Sequence, residues 1–171
     1  MTNTLQIKLL SNKATLPTRN HDTDAGFDIY AAETVVLEPQ EKALISTDIA
    51  VNIPKGYVGL LTSRSGVSSE THLVIETGKI DAGFHGNMKI NIKNDAQSSG
   101  SFVSPNVIGV DNSEFQPFDE KEYDVGTYQI NKGDKLAQLV IVPIITPELE
   151  QVEEFTSESA RGEKGFGSSG F

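Results

Sequence analysis

The feature that most constrains the fold is the alternation of short β-branched runs with chain-breaking residues. Runs of Val, Ile and Thr are separated by fifteen glycines and seven prolines along the 171 residues. Such runs favour strands, because β-branched side chains fit a pleated surface while glycine and proline end regular structure. The runs Thr34–Leu37, Ala43–Ala50 and Tyr57–Leu61 are spaced as strands of an antiparallel barrel or sandwich. A single domain of this length can bury a real core.

Composition excludes several kinds of site. The chain has no cysteine, so neither disulfides nor thiolate metal ligands contribute. The three histidines, His21, His72 and His85, are scattered and do not form a zinc-site pattern. No apolar run approaches the roughly 20 residues that span a bilayer, and the N-terminus does not have a basic region followed by an apolar stretch. We therefore expect no membrane association and a cytoplasmic location.

The net charge of −10 opposes binding to polyanions. A nucleic acid would meet a repulsive field, so we expect no direct nucleic-acid binding. The chain has only three arginines, Arg19, Arg64 and Arg161. Two of them lie in glycine- and serine-rich stretches, which favours focused recognition of a small anionic ligand.

The stretch Gly78–Asn87, followed by the alternating run Met88–Lys93, predicts a β-hairpin. Glycines on both sides of a short apolar and acidic core permit positive φ at the tip and close approach to the backbone. A flat ligand could lie against such a main chain, with Asp81 at the mouth of the slot. The residues alone also fit an ordinary turn carboxylate.

A second carboxylate lies on a predicted strand. Asp24–Ala32 places small residues before alternating apolar side chains, so Asp28 faces away from Phe27 and Ile29. The pattern alone fits a solvent-facing strand residue as well as a functional one.

The stretch Thr62–Ser69 has the chemistry of a phosphate site. It combines the guanidinium of Arg64, several hydroxyls, and Gly66, which allows main-chain N–H groups to converge. Serine- and glycine-rich stretches are also common in plain loops. The sequence predicts a loop here in either case.

Two later segments carry further polar candidates. Gly133–Val140 pairs a turn with a strand, and Gln138 could present its amide to phosphate or satisfy backbone groups. The glycine-rich stretch Arg161–Phe171 is typical of a disordered tail. It nevertheless contains Arg161 and Phe166, which could clamp a phosphate and cover a base.

Residues 95–126 differ in composition from the rest of the chain. They contain seven acidic residues against one lysine: Asp95, Asp111, Glu114, Asp119, Glu120, Glu122 and Asp124 against Lys121. They also contain the aromatic residues Phe102, Phe115, Phe118 and Tyr123. A solvating linker has fewer aromatic residues than this. The segment fits an ordered surface flap or a surface that docks a basic protein.

Taken in order, these segments resemble the five motifs of the trimeric dUTPases. The resemblance runs from Asp24 to Gly170 with one insertion, and it is specific because the order is complete. It implies an all-β fold, a distorted antiparallel jelly-roll-like β-barrel, in a homotrimer with shared active sites. It also implies one domain over residues 1–171, an insert at 95–126 and a flexible C-terminal arm at 159–171.

The family resemblance implies hydrolysis of dUTP to dUMP and pyrophosphate with Mg²⁺, which keeps uracil out of DNA. Asp81 would activate water, the backbone of Gly78 and Ile80 would bind uracil, and Asp28 would contact Mg²⁺ through water. Phe84 stands where the family usually has tyrosine and would stack on the deoxyribose. The other implied substrate contacts are Arg64, Ser65, Gly66, Met88, Gln138, Arg161, Phe166, Gly167 and Ser168.

Within this family the chain is most similar to staphylococcal phage dUTPases, from Met1–Gln6 through Gly56–Ser69 to the arm. That resemblance implies a phage-encoded protein of the host cytoplasm. It also implies a second role, relief of the Stl repressor of pathogenicity islands through the insert and the region near Phe84. Two alternatives stay open: a dCTP deaminase, which shares this fold, and a protein-binding regulator switched by nucleotide.

Overall fold

The computed structural model describes residues 4–98, 100, 102–159 and 162, and contains fifteen strands and one short helix there. The strands are β1 (Gln6–Leu9), β2 (Gly26–Tyr30), β3 (Val35–Leu37), β4 (Lys42–Ser46), β5 (Ile49–Asn52), β6 (Tyr57–Ser63), β7 (Leu73–Ile75), β8 (Gly78–Ile80), β9 (Lys89–Asn94), β10 (Val103–Ser104), β11 (Val107–Ile108), β12 (Glu114–Phe115), β13 (Tyr123–Asp124), β14 (Tyr128–Ile130) and β15 (Lys135–Pro143). The helix α1 spans Ser65–Glu70. The predicted contacts Arg161, Phe166, Gly167 and Ser168 lie outside the described residues.

The strands form three sheets and two ribbons. The sheet orders are β2-β15-β6-β8, β4-β9-β7 and β12-β11-β14-β3, and the ribbons are β1-β5 and β10-β13. Every strand pair is antiparallel except β11 with β14, which meet in parallel at Ile108 and Tyr128. The predicted all-β, antiparallel architecture is confirmed, with this short parallel pair as a departure.

The core forms because each sheet has one apolar face. In β9, Ile90 and Ile92 are fully buried, whereas Lys89 and Lys93 point outward, as a strand's two-residue period requires. The core cluster also includes Ile29, Leu37, Ile45, Val51, Leu61, Leu73, Ile75, Tyr128, Ile130, Leu136 and Leu139. Among the described residues, no helix is long and apolar enough to cross a bilayer.

The predicted strand Ala43–Ala50 is two strands. β4 and β5 are separated at Asp48, whose φ of 51° lies in the left-handed region. This region is uncommon for a residue with a side chain, although aspartate tolerates it better than most. The chain turns there, and β4 and β5 join different sheets.

The predicted loop at Thr62–Ser69 is wrong in part, because Ser65–Glu70 is helical. Hydroxyl groups stabilise this short helix locally: Ser69 Oγ donates to the carbonyl of Ser65 at 2.7 Å, and Thr71 Oγ1 donates to that of Val67 at 2.6 Å. Val67 anchors the helix in the core. A six-residue helix with one buried side chain gives no apolar periodicity for sequence analysis to detect.

The predicted hairpin at Gly78–Asn87 is also corrected. β8 pairs with β6, whereas β9 pairs with β4 and β7, so the two strands lie in different sheets. The intervening residues, 81–88, therefore connect two sheets. We call them the Asp81 loop.

The segment 95–126 contains β10 to β13 and is tied to the barrel at its base. Asn94 is fully buried, and its Nδ2 donates to the carbonyls of Leu37 at 3.0 Å and Gly126 at 2.9 Å. Its Oδ1 accepts the N–H of Ala96 at 3.0 Å. One side chain thus joins both ends of the segment to β3.

Candidate functional site

Asp28 is the centre of a charged cluster on the sheet β2-β15-β6-β8. Arg64 Nε donates to Asp28 Oδ1 at 2.9 Å, and Lys135 Nζ lies 2.9 Å from Oδ2. Gln138 pairs with Asp28 across the strands, and its Nε2 lies 3.4 Å from Oδ1. The structure therefore brings together three predicted site residues, Asp28, Arg64 and Gln138, with Lys135 as a fourth member.

Asp28 faces away from Ile29, as the alternation of β2 predicts. The alternative that it is a solvent-facing residue is wrong. Asp28 is only 3% exposed, on the face of β2 opposite Ile29. Burial raises the pKa of its carboxyl, but hydrogen bonds from Lys135 and Gln138 and the charge of Arg64 outweigh this and leave the pKa lowered. The hydrogen bond with Asp28 in turn raises the pKa of Lys135. Both shifts favour the charged forms, so Asp28 and Lys135 form an ion pair at neutral pH.

This arrangement orients Arg64 without using all of its donors. Nε is occupied by Asp28, and Nη1 makes a long contact of 3.5 Å with the carbonyl of Lys135. A guanidinium has five N–H donors in a planar fork, so donors remain for an anion. The side chain is partly exposed, which leaves that edge accessible.

Ser65 and Gly66 follow Arg64 as the first residues of α1. Ser68 is the first residue whose N–H bonds back to the carbonyl of Arg64, so the N–H groups before it have no helical acceptor. At Gly66 an added Cβ would meet nothing within 4 Å, and its φ is not positive. Nothing in the described fold requires glycine at this position, which leaves open space beside the unused N–H groups.

Sequence analysis missed Lys135. Strict alternation puts residues three apart on opposite faces of a strand, so Lys135 and Gln138 would have been separated. The register of β15 against β2 shifts between Lys135 and Ala137, and Lys135 pairs with Tyr30 on the face of Asp28. A β-bulge of this kind leaves no clear sequence signal.

The Asp81 loop presents a carboxylate on a defined turn. The N–H of Phe84 donates to the carbonyl of Asp81 at 3.1 Å, and Gly83 has a φ of 91°. A positive φ at the third position of a hydrogen-bonded turn indicates type II. Among the described residues, the carboxylate of Asp81 has no hydrogen-bond or ion-pair partner and is exposed.

Phe84 lies at the exposed end of the same turn, packed over Gly86. The ring is 44% exposed, and a Cβ at Gly86 would come within 2.9 Å of Phe84 Cζ. An added methyl group at Gly86 would therefore displace the tip of the ring. The ring keeps exposed surface against which a ligand can stack.

The backbone of β8 supplies the remaining predicted contacts in this region. β8 is an edge strand of its sheet in the described chain, so the N–H and C=O groups on its outer edge are available. The side chain of Ile80 is in the core, and Met88 is 1% exposed. The N–H of Met88 already donates to Ile49 and its carbonyl accepts from Thr47. Ile80 could thus contact a ligand only through its backbone, and Met88 has little free surface.

The charged cluster around Asp28 and the Asp81 loop lie at opposite ends of the β6–β8 pair. Ile80 pairs with Gly59 and Gly78 with Leu61, so Asp81 leaves the pair at the end away from Arg64. Arg64 is five residues beyond Gly59, which corresponds to about 17 Å along a strand. The backbones of Asp81 and Arg64 are therefore at least this far apart along the sheet.

Among residues 4–98, 100, 102–159 and 162, no three His, Asp or Glu side chains are grouped as a metal site. Asp28 is a buried carboxylate beside two cations. A single buried carboxylate that already binds two cations does not hold a metal by itself, so Mg²⁺ would be held mainly by phosphate oxygens and water.

The sequence matches the dUTPase family over residues 12–102 and 122–170. The deoxyuridine 5′-triphosphate nucleotidohydrolase of Mycolicibacterium vanbaalenii is 35% identical over 176 residues, which cover 99% of this chain and 97% of that protein. These matches agree with the order of the five motifs.

Solved structures of phage proteins are more similar. A tyrosine-to-phenylalanine mutant of the Staphylococcus bacteriophage 80alpha dUTPase, determined with dUpNHpp, is 66% identical with a TM-score of 0.92 over 99% of this chain and 100% of that one. That work describes phage dUTPases as controlling transfer of virulence genes by a proto-oncogenic G protein-like mechanism. The dUTPase of S. aureus phage phi11 is 67% identical with a TM-score of 0.87 over 91% of this chain and 100% of that one, and is described with a species-specific insert and a structural Mg(II) ion. This chain belongs to the dUTPase family, the deoxyuridine triphosphate nucleotidohydrolases.

Proposed function

We propose that this dUTPase hydrolyses dUTP to dUMP and pyrophosphate, with Asp81 as the base that activates the attacking water. The observation that carries this assignment is the exposed carboxylate of Asp81, which has no partner among the described residues and sits on a hydrogen-bonded turn. A base must keep a free lone pair and a fixed position to accept a proton from water. Removal of dUTP limits uracil incorporation into DNA, and the reaction supplies dUMP.

Arg64, Ser65, Gly66 and Gln138 bind the phosphate chain in this proposal. Three features support the assignment: the oriented guanidinium, the unused N–H groups at the start of α1, and the open space at Gly66. Positive and N–H groups fixed in advance stabilise the charge that develops on the leaving pyrophosphate.

The nucleoside lies against β8 and Phe84. The free backbone edge at Gly78 and Ile80 recognises the uracil by its donors and acceptors, and the Phe84 ring stacks on the deoxyribose. A slot made of main chain rejects the 5-methyl group of thymine by steric clash and cytosine by mismatched hydrogen bonding. Met88 contributes only to the wall of this slot.

The active sites are shared between subunits of a homotrimer. The placement of Asp81 and Arg64 at opposite ends of the β6–β8 pair, at least about 17 Å apart along the strands, supports this. A second subunit supplies Arg64 where the first supplies Asp81. The arm at residues 159–171 closes over the nucleotide, with Arg161 on the γ-phosphate, Phe166 over the uracil, and Gly167 and Ser168 beside it.

Mg²⁺ is the proposed cofactor. When bound, the ion offsets negative charge on the triphosphate oxygens. Asp28 is the predicted contact to the waters of the ion, but it is buried and already bound by two cations, so its main role in this chain is to orient Arg64 and Lys135.

The test is Asp81→Asn, which keeps the side chain's shape but removes its basicity. Pyrophosphate release from dUTP should fall below one per cent of wild type, while dUpNHpp binds with unchanged affinity. Asp22→Asn, at an exposed loop aspartate, is the matched control and should keep full activity. Normal turnover by Asp81→Asn would reject Asp81 as the base. Release of ammonia from dCTP, in an assay across dUTP, dTTP, dCTP and UTP, would favour the deaminase alternative.

A second function, binding a repressor such as Stl, is favoured by the surface of the insert. Phe118 is 64% exposed within an acidic segment, which is typical of a docking patch for a basic protein. The description of the 80alpha dUTPase as a controller of virulence gene transfer supports the same role. Phe118→Ser should weaken repressor binding at least 10-fold without changing dUTP turnover. Unchanged binding would remove Phe118 from the interface.

A further inference from the structure

The Asp81 loop has few backbone ties to the barrel. Its internal turn joins Phe84 to Asp81, and its exit is fixed where the N–H of Met88 donates to the carbonyl of Ile49 at 2.8 Å. Between these points, the described contacts of the loop with the barrel come from the side chains of His85 and Asn87. Asp81 directly follows β8, and beyond it the loop is held to the barrel by these two side chains.

Asn87 makes the more extensive contact. Its Nδ2 donates to Ser46 Oγ at 2.7 Å and to Asp48 Oδ1 at 2.9 Å. Asp48 also accepts hydrogen bonds from Ser46 Oγ, and from Ser11 Oγ at 2.5 Å. These four residues, Ser11, Ser46, Asp48 and Asn87, form what we call the Asp48 cluster.

The Asp48 cluster is well fixed on its barrel side. Asp48 adopts its left-handed φ between β4 and β5, and its carbonyl accepts the N–H of Leu10 at 2.8 Å. Hydrogen bonds from Ser11 and Ser46 lower the pKa of its carboxyl, so it is an ionised acceptor at neutral pH. Bonds to a charged acceptor are stronger than neutral ones. The amide of Asn87 is thus held against a rigid acceptor.

His85 provides a second, weaker tie. Its Nε2 lies 3.1 Å from Asn52 Oδ1, and Asn52 Nδ2 donates to Gln6 Oε1 at 2.7 Å. All three of these side chains are exposed, so water competes for the bonds. Asn87 is half-buried, and its Oδ1 is buried without a hydrogen-bond partner. The residue contributes through its donor, which makes it the dominant anchor of the loop.

We propose that the Asp48 cluster positions the catalytic loop, and that Asn87 is a positioning residue that acts on Asp81 through the loop backbone. This inference rests on the proposed role of Asp81 as the base. Asn87 is six residues from Asp81 in sequence, and it binds the barrel on the far side of the turn. Losing this anchor releases the end of the loop, and the hydrogen-bonded turn from Asp81 to Phe84 shifts with it.

The effect should fall on kcat. A base displaced by a fraction of an ångström from the attacking water loses rate steeply, whereas the phosphate contacts of Arg64 and Gln138 lie on other elements and stay in place. We expect Asn87→Ala to lower kcat about 10-fold and to change KM and the affinity for dUpNHpp less than about 3-fold. Asn106→Ala is the matched control, because the side chain of Asn106 has no hydrogen bond within the described chain.

Variants of Asp48 separate positioning from general destabilisation. Asp48→Ala removes the acceptor and should lower kcat as much as Asn87→Ala, and the double variant should be no worse than either alone, because both remove one link. Asp48→Asn should keep kcat within about 3-fold, since its carbonyl still accepts from Asn87 and its amide can donate to Ser11. If Asn87→Ala does not fold, Ser11→Ala takes its place. It removes one hydrogen bond to Asp48 and keeps the contact between Asp48 and Asn87, so kcat should fall, but by less than is expected for Asn87→Ala.

The measurements are steady-state kinetics, dUpNHpp affinity and thermal unfolding on the same preparations. A kcat of Asn87→Ala within twofold of wild type, or a loss confined to KM, would overturn the proposal, as would additive losses in the double variant. These outcomes are distinct from a failure of the proposed function. If Asp81→Asn turns over normally, the base assignment is wrong whatever Asn87→Ala does.

Discussion

The two ends of the β6–β8 pair hold their functional groups in opposite ways. At the Arg64 end, Arg64 and Lys135 each form an ion pair with Asp28 at 2.9 Å. At the other end, the carboxylate of Asp81 has no partner among the described residues, and its loop is held by amides and hydroxyls several residues away.

The difference follows from what each group has to do. A guanidinium can give one donor to a structural partner and still bind a phosphate, because it has five. A carboxylate that acts as a base loses basicity with every hydrogen bond it accepts. Arg64 can therefore be held directly by a hydrogen bond and still bind phosphate. Asp81 has to be held indirectly, through its loop, if it is to accept a proton.

The largest expected effect at the Arg64 end is that of Arg64→Ala. It removes the oriented donors and leaves Asp28 with one cation, so kcat/KM for dUTP should fall at least 100-fold. Arg19→Ala is the control: Arg19 lies 4.0 Å over the ring of Phe27 and is not part of the Asp28 cluster. Pyrophosphate release measures both. Equal losses in the two variants would mean that positive charge in general, and not this orientation, matters.

Lys135→Met tests whether the stability of the Arg64 end depends on the second cation beside Asp28. Asp28 is nearly inaccessible to water, so removing one of its two cations should cost about 2 kcal/mol of unfolding free energy, less than for a fully buried pair because Lys135 is partly exposed. Denaturant titration measures it. Lys132→Met, at an exposed turn lysine with no ion pair in the described chain, should change stability little. Equal stability of the two variants would contradict the account.

The pH dependence of unfolding compares the carboxylates of the two ends. Asp28 and Asp48 both have a pKa below the usual 3.8, so their ionised forms stabilise the fold above that pH. This contribution is lost as the pH falls through the lowered pKa values, below about pH 4. Asp48→Asn should flatten that part of the profile, because it removes one of the two titrating groups. An unchanged acid limb would show that Asp48 gains nothing from its cluster.

Gly86→Ala should have the smallest effect. The new methyl group would lie 2.9 Å from Phe84 Cζ and would push the ring off its backbone support. A flexible side chain can move, so thermal stability should change by less than about 1 kcal/mol. Stacking on the sugar would weaken, and KM for dUTP should rise about 3-fold. If KM stays constant, the position of the Phe84 ring does not matter for binding.

Sequence alternation and motif order predicted three of the residues around Asp28 but neither Lys135 nor the contacts that hold the Asp81 loop. Alternation placed Asp28 opposite Ile29, and the structure agrees. It could not place Lys135, because a bulge in β15 reverses its face. Nor could it find the Asp48 cluster, whose members are up to 76 positions apart in sequence and meet through a left-handed residue. Contacts of that kind follow from tertiary packing and leave no local pattern.

Subunit mixing tests the central claim most directly. Trimers of Asp81→Asn alone or Arg64→Ala alone should be inactive, whereas co-expression of the two should restore activity at about a quarter of the sites, because a site can take Asp81 from one subunit and Arg64 from another. Pyrophosphate release by purified mixed trimers gives the answer. Mixed trimers as inactive as the parents would contradict a catalytic site that is divided between subunits.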